Sequence, residues 1–340
     1  MKTFRAFCVA ATLTAAATVL HADDAHRGNA VVVTASNTAA NQIMVYNTAG
    51  QLLQSVPTQG QGGVSGNAGG IAAHDGMIAV VNFGSKSVSI LARDGNDFKV
   101  KQVIPTISSP VSVAFGHHHL YVLGTTEVES HDIFGAHVAA GPDGVVGLLV
   151  ADGSSAQVGV LNNQLVISEK SNVIETVALA NDGAATGSAT LVQNIPSNVN
   201  TPFGLVTRGN NAYVTIAHAD EIALVRNGAV LTVTPSGTQH APCWLALHGP
   251  FLYSSNSPSK SVSRYAVYGT QIVQDAAVAA QFSGSPTDIA YGGGWIGVVD
   301  GSGAVSHISI FSVDEDGNLT LNAVATINAP ANGIAVIAED

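Results

Sequence analysis

The stretch Ser285–Val313, SPTDIAYGGGWIGVVDGSGAVSHISIFSV, contains three short apolar segments separated by two turns. A first strand is predicted after Pro286 at Asp288–Tyr291, and three glycines separate it from a second at Trp295–Val299. The segment Val305–Val313 follows a polar turn and alternates apolar with polar residues, which is typical of a strand with one buried face. The stretch therefore predicts an antiparallel unit of three strands.

The same unit recurs along the chain at a regular spacing. The prolines that precede the first strand of a unit are separated by 92, 40, 44 and 44 residues, and the first interval holds two units of 46; they are Pro110, Pro202, Pro242, Pro286 and Pro330. Asp-Gly or Asn-Gly turns, which favour tight hairpins, lead from the third strand to a fourth, as at Asp94-Gly95 and Asp316-Gly317. Four strands in 40–46 residues are the period of a β-propeller blade.

The two ends of the chain complete each other. The tail Ala329–Ala338 is predicted to be a lone first strand, whereas Ala30–Val56 contains a second, a third and a fourth strand. Pairing them makes one composite blade and leaves the ring without a free edge. With six complete units, we predict an all-β fold: a seven-bladed β-propeller in one domain, 30–340, closed by pairing the C-terminal strand with the N-terminal strands.

The N-terminus is predicted to be a secretory signal peptide, residues 1–22, followed by a short flexible segment, 23–29. Lys2 and Arg5 precede the uncharged run Ala6–Leu20, and small residues at Ala17 and Ala22 offer two cleavage positions. The run is too short to span a membrane, and no later stretch is long and apolar enough. We therefore expect a secreted protein, periplasmic or extracellular, with no membrane span.

Charge and cysteine content limit the possible partners. The chain carries 12 Lys and Arg against 23 Asp and Glu, and loss of Lys2 and Arg5 with the signal changes the net charge from −11 to −13. This balance argues against nucleic acid or an anionic membrane as partner. Cys243 is the one cysteine after the signal, so stability must come from the core and not from a disulfide. We expect a monomer.

Polar residues follow the second strand of several units at equivalent positions. The aligned residues are Asn82, Gly124, Glu169, Ala217, Asn256 and Asp300, with Lys170 and His218 one position further on. In a propeller these positions are expected around one mouth of the central channel. Asn82, Lys170, Asn256 and Asp300 are therefore predicted to bind a small-molecule or carbohydrate-like ligand. The alternative is that Asn and Asp cap turns by bonding to nearby backbone.

Several segments resemble the lactonase-like seven-bladed propellers, a family that includes 6-phosphogluconolactonase and carboxymuconate cyclase. The similarity is clearest in Leu165–Val177, Thr201–Gly204, Ala241–Trp244 and Phe311–Gly317. The resemblance implies a lactone-opening or lactone-forming activity, with imidazole, guanidinium and carboxylate groups around one carbonyl.

The residues that would supply these groups are mostly replaced in this chain. Where catalytic members of that family carry Pro-Arg-His, this sequence has Ser155-Ala156-Gln157, and Asp300-Gly301-Ser302 replaces an Asn-Arg-Gly turn. The carboxylate remains as Glu169. We therefore predict a ligand-binding or scaffold protein; the alternative is a hydrolase or cyclase for a neutral lactone that uses Glu169 and His218 as catalytic residues.

No cofactor or metal site is predicted. Gln59–Gly70 is glycine-rich like a phosphate-binding loop but lacks the following Lys-Ser/Thr pair, and we expect no cofactor. The segment Thr125–Asp132, the longest connection between second and third strands, is predicted to be a protruding surface loop. Its acidic residues, with His131 and His137, leave weak binding of a divalent cation as an alternative.

Overall fold

The computed structural model describes residues 29–64, 69–94, 97–196 and 200–338. The predicted signal peptide, 1–22, and all but Asn29 of the predicted flexible segment lie outside these residues. The described residues form seven antiparallel sheets, and the first strand of each sheet packs against the first strands of its two neighbours in a closed ring. The fold is the predicted seven-bladed β-propeller.

Blade 1 is the composite blade that the two ends of the sequence predict. From the channel outward it contains β29 (Asn332–Ala338), β1 (Ala30–Ala35), β2 (Gln42–Asn47) and β3 (Leu52–Pro57). The C-terminal strand β29 pairs antiparallel with β1, with Val336 opposite Val32.

The other blades follow in chain order, each from its inner to its outer strand. Blade 2 contains β4 (Ile71–His74), β5 (Met77–Asn82), β6 (Ser87–Asp94) and β7 (Asp97–Pro105). Blade 3 contains β8 (Ser112–Gly116), β9 (His119–Leu123), β10 (Glu127–Phe134), β11 (His137–Val138) and β12 (Gly144–Gly147). Blade 4 contains β13 (Ser155–Val160), β14 (Gln164–Glu169), β15 (Val173–Leu179) and β16 (Ala185–Leu191).

Blade 5 contains β17 (Pro202–Arg208), β18 (Asn211–Ile216), β19 (Glu221–Arg226) and β20 (Ala229–Pro235). Blade 6 contains β21 (Pro242–His248), β22 (Phe251–Asn256), β23 (Ser261–Tyr268) and β24 (Gln271–Gln281). Blade 7 contains β25 (Ser285–Gly292), β26 (Trp295–Ser302), β27 (Val305–Val313) and β28 (Leu319–Ile327). Two 3₁₀ turns lie at Phe83–Ser85 and Ala217–Ala219. Among the residues that the structure describes, no helix is long and apolar enough to cross a membrane.

The core lies between neighbouring blades, because each sheet packs both of its faces. Between blades 7 and 1, for example, Ile308 and Ile310 pack with Val32 and Ile334 in one buried cluster. The middle strands are buried along their whole length, as in β5, whereas the outer strands alternate exposed and half-buried residues. Second-strand side chains therefore point into the interfaces between blades.

The prediction of a protruding surface loop at Thr125–Asp132 is wrong. Most of it belongs to the third strand β10, and Glu127, Glu129 and His131 are buried. Their polarity suggested a loop, but they bond to backbone groups: Glu129 accepts the amide of Ile107 (2.8 Å), and His131 Nδ1 lies 2.9 Å from the carbonyl of Ala139. The described residues contain no group of three metal-binding side chains placed to hold an ion.

Candidate functional site

The inner strands carry an irregularity at the same place in several blades. Just after the start of β13, β21 and β25 the pairing shifts, and the extra residue bends the strand. As a result Gln157, Trp244 and Asp288 occupy equivalent positions, each directly before a residue that pairs with the second strand. We call these three residues the channel belt, because all three line one cavity of about 230 Å³ inside the ring.

Asp288 is the most unusual member of the channel belt. Asp288 is buried, with 5% of its surface exposed; Oδ1 accepts the amide of Ile289 (2.8 Å), and Oδ2 has no hydrogen-bond partner among the described residues. Burial raises the pKa of Asp288 to about 7, although the nearby amides of Ile289, Gly69 and Ile334 lower it in part. At neutral pH this carboxyl is therefore divided between its neutral and its charged form.

Trp244 lies at the boundary between the channel cavity and a second cavity of about 250 Å³ at the mouth where the inner strands begin. Phe203 packs against its ring edge-to-face, with centroids 5.0 Å apart. The polar residues that line this mouth cavity are Asn37, Thr287, Ser306 and Asn332. Neither cavity has a Lys, Arg or His among its described lining residues, so neither presents a cation to an anionic ligand.

The predicted ring of polar residues at the second-strand ends has a different location. Asn82 is fully buried at the interface with blade 1, where its Oδ1 accepts hydrogen bonds from Thr58 (2.7 Å) and Asn41 (3.0 Å). Its Nδ2 donates to Ser89 in the neighbouring strand (2.8 Å). Asn82 lines no described cavity, and its bonds join the connection from blade 1 to the body of blade 2. Its predicted position at the channel mouth is therefore corrected.

Asn256 occupies the equivalent position in blade 6 and is also fully buried. Its Nδ2 donates to Ser263 (2.8 Å) and Ser261 (3.1 Å), and Ser261 in turn bonds to Gln239 in the connection from blade 5. Its Oδ1 has no partner among the described residues. Asn256 too faces the preceding blade and not the channel mouth.

Glu169 belongs to a buried pair of carboxyl groups with Glu175. Glu175 accepts the amides of Leu149 (3.0 Å) and Val150 (3.2 Å), which lie in the connection from blade 3. Glu169 accepts a hydrogen bond from Ser154 (3.3 Å). Burial and the neighbouring Glu175 raise the pKa of Glu169 well above its usual value, which favours the neutral form of this carboxyl group.

The structure does not bring Glu169 and His218 together at an open cleft. Glu169 is fully buried and lines none of the described cavities. His218 is exposed in the 3₁₀ turn of blade 5, where its Nδ1 lies 2.9 Å from the hydroxyl of Thr201. Lys170 is half-buried; burial lowers its pKa, and the charge of Asp152 opposes that effect.

Asp300 differs from the other second-strand ends because it reaches a cavity, although not the one predicted. Its Oδ1 lies 2.9 Å from Nδ1 of His307 on the neighbouring strand β27, and both residues line a cavity of about 460 Å³ between blades 6 and 7. None of the residues that line this cavity lines the mouth cavity.

Trp244, Asp288 and His307 are not among the site residues that the sequence predicts. Trp244 and Asp288 both lie two residues after the proline that opens an inner strand, and aligning the blades on that position would have grouped them with Gln157. His307 has no such signal, because it lies within an alternating strand whose neighbours are core residues.

The fold is similar to those of solved structures that include a putative 6-phosphogluconolactonase and a periplasmic gluconolactonase. A protein of unknown function from Desulfotomaculum acetoxidans shares 12% identity over 92% of this chain and 100% of its own, with a TM-score of 0.69. A putative 6-phosphogluconolactonase from Bacteroides uniformis shares 14% over 91% and 99%, with a TM-score of 0.66. The periplasmic gluconolactonase of Pseudomonas aeruginosa shares 15% over 92% and 99%, also with a TM-score of 0.66.

No family model matches the sequence, and no curated protein sequence is significantly similar to it. At such low identities the structural likeness concerns the fold. The chain is therefore a seven-bladed β-propeller related in fold to gluconolactonase-like proteins, as the sequence resemblance indicates.

Proposed function

We propose that this protein is a secreted, monomeric propeller that binds a small, neutral, hydroxyl-rich ligand at the mouth cavity beside Trp244. The observation that carries the proposal is the lining of that cavity: an indole ring with amide and hydroxyl groups and no cation. An aromatic face packs on the C–H face of a sugar ring, while amides and hydroxyls bond to its oxygens. Such a mixture of apolar surface with a few polar groups is typical of small-molecule sites.

The size and charge of the cavity limit the ligand further. Its volume of about 250 Å³ is below the ~300–1,000 Å³ of sites for drug-sized molecules, which favours a ligand of about one ring. A net charge of −11 for the whole chain and the absence of lining cations disfavour phosphorylated sugars. The fold shared with a periplasmic gluconolactonase supports a neutral sugar or sugar lactone as ligand and an exported location.

A titration of the full chain with methyl β-D-glucoside and with glucono-1,5-lactone, followed by ligand-observed NMR, tests the proposal. We expect saturable binding of at least one probe, weakened at least fivefold by Trp244→Phe, which shortens the aromatic surface. Trp295→Phe is the matched control, because Trp295 lies on β26 and lines neither the channel cavity nor the mouth cavity. Equal loss in both variants, or no saturable binding of either probe, would contradict the proposal.

The enzymatic alternative is tested with the same lactone. If the protein opens glucono-1,5-lactone and Glu169→Gln abolishes that activity, Glu169 is a catalytic residue and the binding proposal is incomplete. If Glu169→Gln leaves the rate unchanged, the alternative that uses Glu169 is wrong.

A further inference from the structure

The cavity between blades 6 and 7 combines a polar end with apolar walls. Asp300 and His307 form its polar end, and Phe282 and Phe311 contribute aromatic walls that meet edge-to-face with centroids 5.9 Å apart. The remaining wall has small or aliphatic residues from the outer strands of the two blades, at Ala279, Ala280, Leu319, Leu321 and Val324, together with the polar residues Gln281, Ser283 and Ser309. Its volume of about 460 Å³ lies within the range of small-molecule sites.

The imidazole of His307 is held in one orientation by Asp300. Oδ1 of Asp300 accepts both the backbone amide of His307 (3.2 Å) and its ring Nδ1–H (2.9 Å), while Oδ2 accepts the amide of Gly284 (3.3 Å). A carboxylate only accepts hydrogen bonds, so Nδ1 must carry the hydrogen. In the neutral ring Nε2 is then an acceptor.

Nε2 of His307 is available to a ligand. It has no hydrogen-bond partner among the described residues, and 28% of the side chain is exposed, whereas Asp300 is almost fully buried at 3%. A second Asp–His pair, Asp220 with His240, shows that such a contact alone does not make a site: it is exposed at the surface and lines no described cavity. The pair in blade 7 is distinguished by the inter-blade cavity that both of its residues line.

We propose that this inter-blade cavity binds a small molecule with an aromatic or aliphatic body and one hydroxyl group, which donates a hydrogen bond to Nε2 of His307. A ligand with a carboxylate is disfavoured, because the buried carboxylate of Asp300 lies on the other side of the imidazole and would repel it. A ligand without a donor leaves Nε2 unpaired in the cavity. The site is separate from the mouth cavity and does not depend on the function proposed there.

Fluorescence titration of the full chain at pH 8 with 1-naphthol, and with its methyl ether as a probe that cannot donate, tests this site. We expect one saturable site per chain, with the ether bound at least fivefold more weakly, as expected for the loss of one hydrogen bond. His307→Phe keeps the ring and removes Nε2, so it should weaken 1-naphthol to the level of the ether and leave the ether unchanged.

Three further variants keep the test falsifiable. His307→Gln serves if the phenylalanine variant does not fold, and His240→Phe is the matched control, expected to leave both affinities unchanged. Ala279→Leu should weaken both probes together, because it fills the cavity. Equal affinity for the two probes, an unchanged ratio in both His307 variants, or no saturable binding would overturn the proposal.

Discussion

Two sets of residues at equivalent positions in the blades differ in what they face. The ends of the second strands, such as Asn82 and Asn256, point into the interface with the preceding blade and are fully buried there. The channel belt, Gln157, Trp244 and Asp288, lies on inner strands whose bulges direct side chains to the channel. In these blades the second-strand ends Asn82 and Asn256 stabilise the ring and the bulged inner strands line the channel, whereas Asp300 shows that a second-strand residue can also reach a cavity.

The difference has a physical reason. Side chains of a strand alternate between the two faces of its sheet, and both faces of a blade are covered by neighbouring blades. A second-strand residue therefore meets another blade whichever face it takes. An inner strand has in addition a free edge on the channel side, and a bulge directs residues toward that edge.

The largest expected effect is the pH dependence that Asp288 imposes. Because burial raises its folded pKa from 3.8 to about 7, the unfolded state ionises first, and stability falls as pH rises from about 4 through 7. Asp288→Asn should be neutral at pH 4 and more stable than the parent by up to about 4 kcal/mol above pH 8. Urea unfolding across this pH range measures the difference. The exposed Asp316→Asn is the control; parallel profiles for both variants would mean that Asp288 is not desolvated.

Removal of Glu175 should cost about 3 kcal/mol, because Glu175→Ala removes the carboxylate that accepts the amides of Leu149 and Val150. Glu175→Gln keeps one acceptor oxygen and should cost less. Denaturant unfolding at pH 6 measures both. The exposed Glu315→Ala should change stability by less than about 0.5 kcal/mol. A loss below about 1 kcal/mol for Glu175→Ala would show that the carboxyl does not anchor the connection from blade 3.

Asn82→Ala should cost about 2 kcal/mol and Asn256→Ala about 1 kcal/mol, although both residues are fully buried. Asn82 satisfies Thr58, Asn41 and Ser89, whereas Asn256 bonds through its amide nitrogen alone and loses an unpaired oxygen on substitution. Thermal unfolding of the two variants side by side gives the difference. The reverse order would contradict the structural role assigned to Asn82.

The smallest effect is expected for His218. Its bond to Thr201 is exposed, so His218→Ala should change the free energy of unfolding by less than about 0.5 kcal/mol and leave binding at the mouth cavity unchanged. If glucono-1,5-lactone is hydrolysed and this variant abolishes the hydrolysis, His218 belongs to a site that the described cavities do not include.

The fold was predictable because the sequence features that indicate it are local and repeated. Proline, apolar strands and Asp-Gly turns recur every 40–46 residues, and the missing first strand at the N-terminus matches the extra strand after Pro330. The one segment that misled, Thr125–Asp132, did so because buried third-strand positions carry Glu and His. Their partners are backbone groups of a connection about 20 residues away, which a local pattern does not reveal.

The site was less predictable, since its residues depend on pairing between strands. Equivalent positions such as Asn82, Glu169 and Asp300 were found correctly by alignment, but their orientation toward the preceding blade follows from the ring and not from the sequence. Likewise, the contact of Asp300 with His307 requires strands β26 and β27 in their observed register.

By itself the sequence determined the number of blades and the composite blade, because both are properties of residue order. Only the tertiary structure decided that Trp244 and Asp288 face the channel, that Glu169 is paired with Glu175, and that His307 meets a cavity. Each of these depends on which strands become neighbours across the ring, and that is set when seven blades bury their faces against one another.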